Sequence, residues 1–192
     1  MALALKSLFV VALGVAIGLF ATFLAVERGV GFGATRAGPW TGWPKSGSLE
    51  ADPYTLAARA RNGYTPLGLT EGLGFVARVD SAGAPLDSRC DYLVSGATPA
   101  TRFWTLTVRT PEGRLVRTNA DIHGLTSSEV VRDSSGGFVI DVAASARPGN
   151  WLPVAPGQPF ALALRLYDTV VSAAANTLDA GMMPSIRRGR CA

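Results

Sequence analysis

The sequence predicts a mainly β protein: an antiparallel β-sandwich preceded by one N-terminal transmembrane helix. Three observations predict it. Residues 7–26 form an uncharged apolar run. Beyond Leu67, apolar residues recur with period two in short runs, the mark of strands with one buried face. Turn residues separate six or more of these runs, a spacing that favours packed antiparallel sheets over a helical bundle.

Setting aside an anchor and its link leaves roughly 140 of the 192 residues, near the commonest domain size and enough for one hydrophobic core. The 18 basic and 14 acidic residues give a net charge of +4. They are scattered along the chain, with no run like a nucleic-acid-binding arm, so no nucleic-acid partner is expected.

The apolar run from Ser7 to Val26 is 20 residues long; as a helix it rises about 30 Å, which matches a bilayer's hydrocarbon core. Lys6 and the amino group lie on one side, Glu27-Arg28 on the other. The positive-inside rule then predicts a single-pass inner-membrane protein, N-terminus cytoplasmic and C-terminal domain periplasmic, with Arg28 opposing that bias. A cleaved signal peptide would have a shorter apolar core and an A-x-A site. Phe23-Leu24-Ala25 lacks the outer small residue, so residues 1–28 are expected to be an uncleaved signal-anchor. Gly14 and Gly18 form a GxxxG pair, a spacing that lets helices approach closely, but glycine is common in membrane helices generally and no homodimer follows from it.

Residues 29–50 are rich in Gly, Pro and Ser without periodicity and are expected to be a tether, leaving 51–192 as the domain. Trp40 and Trp43 within it suit either a membrane interface or packing onto the domain. Asp52-Pro53 then opens a short helix through residue 62: Asp is a good N-cap, Pro is tolerated at the first helical position, and Asn62-Gly63 supplies a stop.

Strands are expected at 73–79, 90–94, 103–108, 137–142 and 160–167. In the third, Trp104, Leu106 and Val108 share a face. Pro111-Glu112-Gly113 ties it to Leu115-Val116 as a hairpin. In the last, Phe160, Leu162, Leu164 and Leu166 form a core stripe with Arg165 and Tyr167 opposite. Residues 119–131 read as a helix or an irregular excursion.

Cys90 and Cys191 are the two cysteines. In an oxidising compartment the pair is a disulfide candidate that pins the C-terminal tail to the sheet; the alternative is two separate thiols.

Residues that carry chemistry are sparse. His123 is the single histidine, which rules out a His-based metal cluster, and Ser127 and Ser128 lie in no nucleophile-elbow context. No phosphate loop, zinc spacing or dinucleotide fingerprint occurs, so no cofactor and no metal are expected. The constellation that stands out is Asn150 and Trp151 in an Asn-Trp-Leu-Pro loop with Arg165, Tyr167 and Asp168, joined by Arg102 and Trp104. Together these could line a cleft for an anionic or sugar ligand. The competing reading pairs Arg165 with Asp168 or Asp141 and makes Trp151 a plug.

Four runs in register, at Ala84–Tyr92, Ala100–Thr107, Gly149–Pro153 and Leu164–Tyr167, resemble the bacterial DUF1214 family over about residues 70–190. The Pro184-Ser185-Ile186 and Cys191 ending resembles a short, membrane-anchored alphaproteobacterial branch. The resemblance implies a β-sandwich of jelly-roll type. Longer relatives carry a companion DUF1254 domain upstream, for which these residues have no room. It implies no catalytic residues. Asn150, Trp151, Arg165 and Tyr167 match its motif positions.

Three functions fit. The leading one is a non-enzymatic envelope module binding a glycan, lipid headgroup or protein partner beside the inner membrane, held there by residues 7–26. The others are a hydrolase or lyase using Arg165 and Tyr167 on a small envelope substrate, and an accessory subunit of an inner-membrane complex.

Overall fold

The computed structural model describes residues 2–27, 33–62, 65–68, 70–118, 120–169 and 178–191. Helix α1 (Ala2–Glu27) is long and apolar enough to cross a membrane, and its side chains are exposed until the last turn. The remaining elements are mainly β. Strands β1 (Thr35–Ala37), β2 (Trp40–Gly42), β3 (Gly72–Ala77), β5 (Thr101–Arg109), β6 (Gly124–Thr126) and β9 (Ala161–Thr169) form a six-stranded sheet of order β1-β2-β3-β9-β5-β6. Strands β4 (Cys90–Gly96), β7 (Phe138–Ala143), β8 (Trp151–Pro153) and β10 (Ser185–Cys191) form a four-stranded sheet of order β10-β4-β7-β8. Helix α2 (Pro53–Asn62) precedes β3.

The period-two pattern survives folding where it was strongest. Trp104, Leu106 and Val108 are buried from β5, and Leu162, Leu164 and Leu166 from β9. Strand β9 is central, paired with β3 on one side and β5 on the other, so Ala161 and Ala163 of its opposite face are buried as well. The two sheets share one apolar core. Trp104 of β5 meets Phe138 of β7 with ring centroids 4.9 Å apart. Each such aliphatic or aromatic side chain contributes about 1.5–3 kcal/mol relative to leaving it in water.

Four expectations need correction. The first is the tether of residues 29–50. From Thr35 onward this stretch belongs to the fold: β1 and β2 form a hairpin, and β2 pairs antiparallel with β3. Trp40 is fully buried, and its Nε1 donates to the Pro184 carbonyl at 2.7 Å. Three-residue strands are too short to show a period, and an indole of this size repays ordering the backbone around it. Residues 28–32 lie outside the described residues.

The second is the excursion at 119–131, where Gly124–Thr126 pairs with β5 as strand β6. The third is the Pro111-Glu112-Gly113 hairpin, whose returning arm makes a single bridge, Arg109 to Leu115, rather than a strand. The fourth is the purely antiparallel pattern, because β8 runs parallel to β7, Asp141 opposite Trp151. Strand β8 is only three residues long, so a brief parallel edge closes without the long crossover that extended parallel pairs require.

The capping prediction holds. The Asp52 carboxylate accepts from the Tyr54 and Thr55 amides, both at 3.0 Å, and from the Thr55 hydroxyl, satisfying the free donors of α2's first turn. The Gly63 stop lies outside the described residues. Cys90 and Cys191 form a disulfide, which seats the end of β10 beside the start of β4. The tail is pinned as expected: Ile186 is fully buried and Met183 nearly so.

Candidate functional site

Strand register decides which candidate residues share a surface, because directly opposed residues of an antiparallel pair point to the same face. Arg165 lies between Gly74 of β3 and Thr105 of β5, and Tyr167 between Gly72 and Phe103. These residues line the outer face of the larger sheet. Phe103 and Tyr167 form a tilted ring pair, centroids 5.8 Å apart. The β3 side of this face carries glycines. Gly72 has φ +149°, and a Cβ there would sit 2.0 Å from the Leu166 carbonyl oxygen, so the backbone excludes any side chain beside Tyr167. Arg165 donates from Nη2 to the Thr65 carbonyl at 3.0 Å, which lays the 65–68 segment along the same face.

Trp104 faces the other way. It opposes Leu166 and is buried in the core. Arg102 shares the parity of Trp104 but stands at the strand's exposed end, 3.5 Å from Asp168. Asp168 has φ +50°, a left-handed conformation that breaks the ladder between Tyr167 and Thr169. Asp168 therefore pairs with Arg102 rather than with Arg165.

Asn150 and Trp151 lie on the other sheet. Asn150 is a backbone clip: its Oδ1 accepts from the Val131 amide at 2.8 Å, and its Nδ2 donates to the carbonyls of Val131 at 2.8 Å and Val139 at 2.9 Å. The Trp151 Nε1 donates to the Ala143 carbonyl at 3.0 Å. The seven residues read as one constellation thus divide: Arg165 with Tyr167 on the outer face, Arg102 with Asp168 at an exposed strand end, Asn150 with Trp151 on the other sheet, and Trp104 in the core.

A cleft of ≈ 240 Å³ opens elsewhere, between the turn that follows β5 and the loop that precedes β9. Leu115, Val116 and Phe160 supply apolar wall, and Thr110, Arg117 and Gln158 supply polar groups. The Glu112 carboxyl on the adjoining turn is held below the usual carboxylate range, first by the Thr110 hydroxyl and more weakly by Arg114 and Arg78. His123 lies near one wall, its Nδ1 3.0 Å from the Val116 carbonyl and its Nε2 3.4 Å from Asp121. None of the cleft's polar groups stands out in the sequence. The signals available were Pro111-Glu112-Gly113 and Pro159, which mark the two bordering loops but not their approach. Among the described residues, no three His, Cys, Asp or Glu side chains gather as a metal site.

Residues 71–171, more than half of the chain and spanning β3 to the end of β9, match the family model described as "Protein of unknown function (DUF1214)". The chain belongs to the DUF1214 family. This DUF1214 chain is also similar to the crystal structure of the VPA0106 protein from Vibrio parahaemolyticus, with 23% sequence identity and a TM-score of 0.57. That likeness covers 73% of this chain and 36% of the other, so it spans about a third of the larger protein and concerns the fold alone. An uncharacterized protein from Burkholderia cenocepacia is similar over 64% of this chain and 30% of that one, at 22% identity and a TM-score of 0.44. No curated protein matches.

Proposed function

We propose that this DUF1214 protein is a single-pass inner-membrane protein whose jelly-roll-type sandwich works in the periplasm as a non-enzymatic binding or interaction module. The observation that carries the reading is the Cys90–Cys191 disulfide in a domain that follows an apolar helix. Such a bond persists in oxidising compartments and is reduced in the cytosol. An uncharged span with Lys6 on its inner side delivers the domain to the oxidising side.

The binding role draws on two surfaces. One is the half-buried outer face with Arg165, Tyr167 and Phe103, which suits a sugar ring or an anionic group against aromatic and guanidinium planes. The other is the cleft with Arg117 and Gln158 over apolar wall, which at ≈ 240 Å³ is smaller than a drug-sized ligand's pocket and suits only a small polar group. An envelope glycan, a lipid headgroup or a partner protein fits this position.

Alkaline phosphatase fused after residue 192 tests the topology. Activity in intact cells is expected, and an inactive fusion overturns the periplasmic reading. Affinity purification from native membranes, comparing the full chain with one lacking residues 1–28, tests the role. Ligands retained without the anchor support a binding module; partners lost with it point to an accessory subunit instead.

A further inference from the structure

Among the described side chains of helix α2, polar Thr55 and Arg59 turn toward the fold and apolar residues turn outward. A surface helix ordinarily turns its apolar stripe to the core and its charged residues to water. Here Thr55 is buried, and Arg59, one turn on, reaches back to the fold, donating from Nη1 to the Ser46 carbonyl at 2.7 Å. The outward residues are Pro53, Leu56, Ala57 and Ala60, at the i, i+3, i+4, i+7 spacing of one helix face. Leu56 is 48% exposed, and Leu49, just before the helix, is entirely exposed at 106%. Holding Thr55 and Arg59 against the fold while Leu56 faces outward beside the exposed Leu49 leaves apolar surface in water.

The neighbourhood identifies what covers it. The last turn of α1 packs against α2, and Leu24, Ala25 and Val26 are half-buried while the preceding residues of the span are exposed. The outer end of the membrane span therefore abuts α2. The link is also short: residues 28–34 separate Glu27 from Thr35 of β1 and reach at most about 30 Å when fully extended, so β1 stays within that distance of the end of α1.

From this the geometry points to α2 and Leu49 forming a lipid-contact surface that seats the β domain on the outer leaflet of the membrane its anchor spans. Pro53, Leu56, Ala57 and Ala60 lie along the boundary between headgroups and acyl chains, as in helices that rest in the interface plane. The occupant is the phospholipid layer itself. This inference rests on the reading of α1 as a membrane anchor. It adds that the domain is held at one orientation, with the α2 end of the fold against the lipid.

Site-directed spin labelling tests it on the full chain in phospholipid vesicles, since Cys90 and Cys191 are bonded to each other and an introduced cysteine is the labelled one. Labels are placed singly by Leu49→Cys, Leu56→Cys, Ala16→Cys in α1, and Ala146→Cys in an exposed loop of the smaller sheet. Collision with dissolved oxygen against a water-soluble nickel chelate reports depth. The expected result is an oxygen-to-nickel ratio at 49 and 56 several-fold above that at 146 and below that at 16. If 49 and 56 match 146 while 16 reads as buried in lipid, the anchor stands and the lipid-contact surface is overturned. Shielding from both reagents with spin–spin broadening at 56 assigns the face to a second copy and also overturns it. A label at 16 that reads as water-exposed removes the anchor and the inference together.

Discussion

The carboxamide of Asn150 binds both backbone groups of Val131, accepting from its amide and donating to its carbonyl, each at 2.8 Å. A side chain here does the work of a strand partner. It ties the 131 segment to the start of β8, and its remaining proton goes to Val139 of β7. This accounts for an Asn in the Asn-Trp-Leu-Pro run by structure rather than by ligand contact.

Asn150→Ala removes all three bonds. At about 0.5–1.5 kcal/mol net for each bond, and toward the low end near solvent, the expected loss is about 1–2 kcal/mol. Urea melts of the two proteins measure it. Asn150→Asp should be no better, since it keeps the acceptor but sets a charge against two carbonyl oxygens.

Trp40→Phe isolates the hydrogen bond to Pro184 from most of the apolar burial. The Pro184 carbonyl then stays buried without its donor, at a cost of about 1–3 kcal/mol. Trp40→Ala adds a cavity and should cost about 3–5 kcal/mol. A melt that leaves Trp40→Ala as stable as the parent chain would restore residues 29–50 to the role of a passive tether.

Replacing both cysteines by serine opens a loop closed across a sequence separation of 101. The chain-entropy model puts the upper bound of the loss at about 4–5 kcal/mol. The loss should fall on the tail: proteolysis of the reduced chain is expected to begin within residues 183–191, while β5 and β9 stay protected. Limited proteolysis with and without reductant, read by mass spectrometry, checks this.

The Asp133 carboxyl is held below the usual carboxylate range, first by the Ser135 hydroxyl and then by the amides of Ser135 and Gly137. A carboxylate depressed on folding stabilises the fold above its unfolded value, about 3.9 for Asp, and that contribution fades as pH falls through the lower folded value. The stability difference between the parent and Asp133→Asn should therefore be full at neutral pH and shrink progressively below about pH 4. Paired thermal melts across that range measure it.

Arg102→Ala should change stability by less than about 0.5 kcal/mol, because the Arg102–Asp168 pair is open to solvent, with the side chains 81% and 71% exposed. The contrast with Arg165→Ala is informative. If the Arg165 variant stays folded and loses a ligand, the outer face is a site; if it unfolds, Arg165 serves the scaffold through Thr65.

By itself the sequence determined what depends on local pattern. The apolar helix over residues 7–26, long enough to cross a membrane, needs only length and absence of charge. The core stripes of β5 and β9 need only alternation, which holds in any register that keeps one face dry. Asp52 as a cap needs only nearby backbone donors. Cys90 and Cys191 were legible as a pair because no other cysteine competes. Tertiary structure alone decided what depends on which strands become neighbours. Trp40 is core because β2 meets β3 and Pro184 brings a carbonyl to its indole, 144 residues away in the chain. Arg165 and Tyr167 share a face with Thr105 and Phe103, not with Arg102 and Trp104, because the β5–β9 register sets the parity. Asn150 and Trp151 are parted from them because β8 joins the other sheet. Long-range pairing is fixed by the burial the whole chain achieves together, and no window of neighbouring residues contains that information.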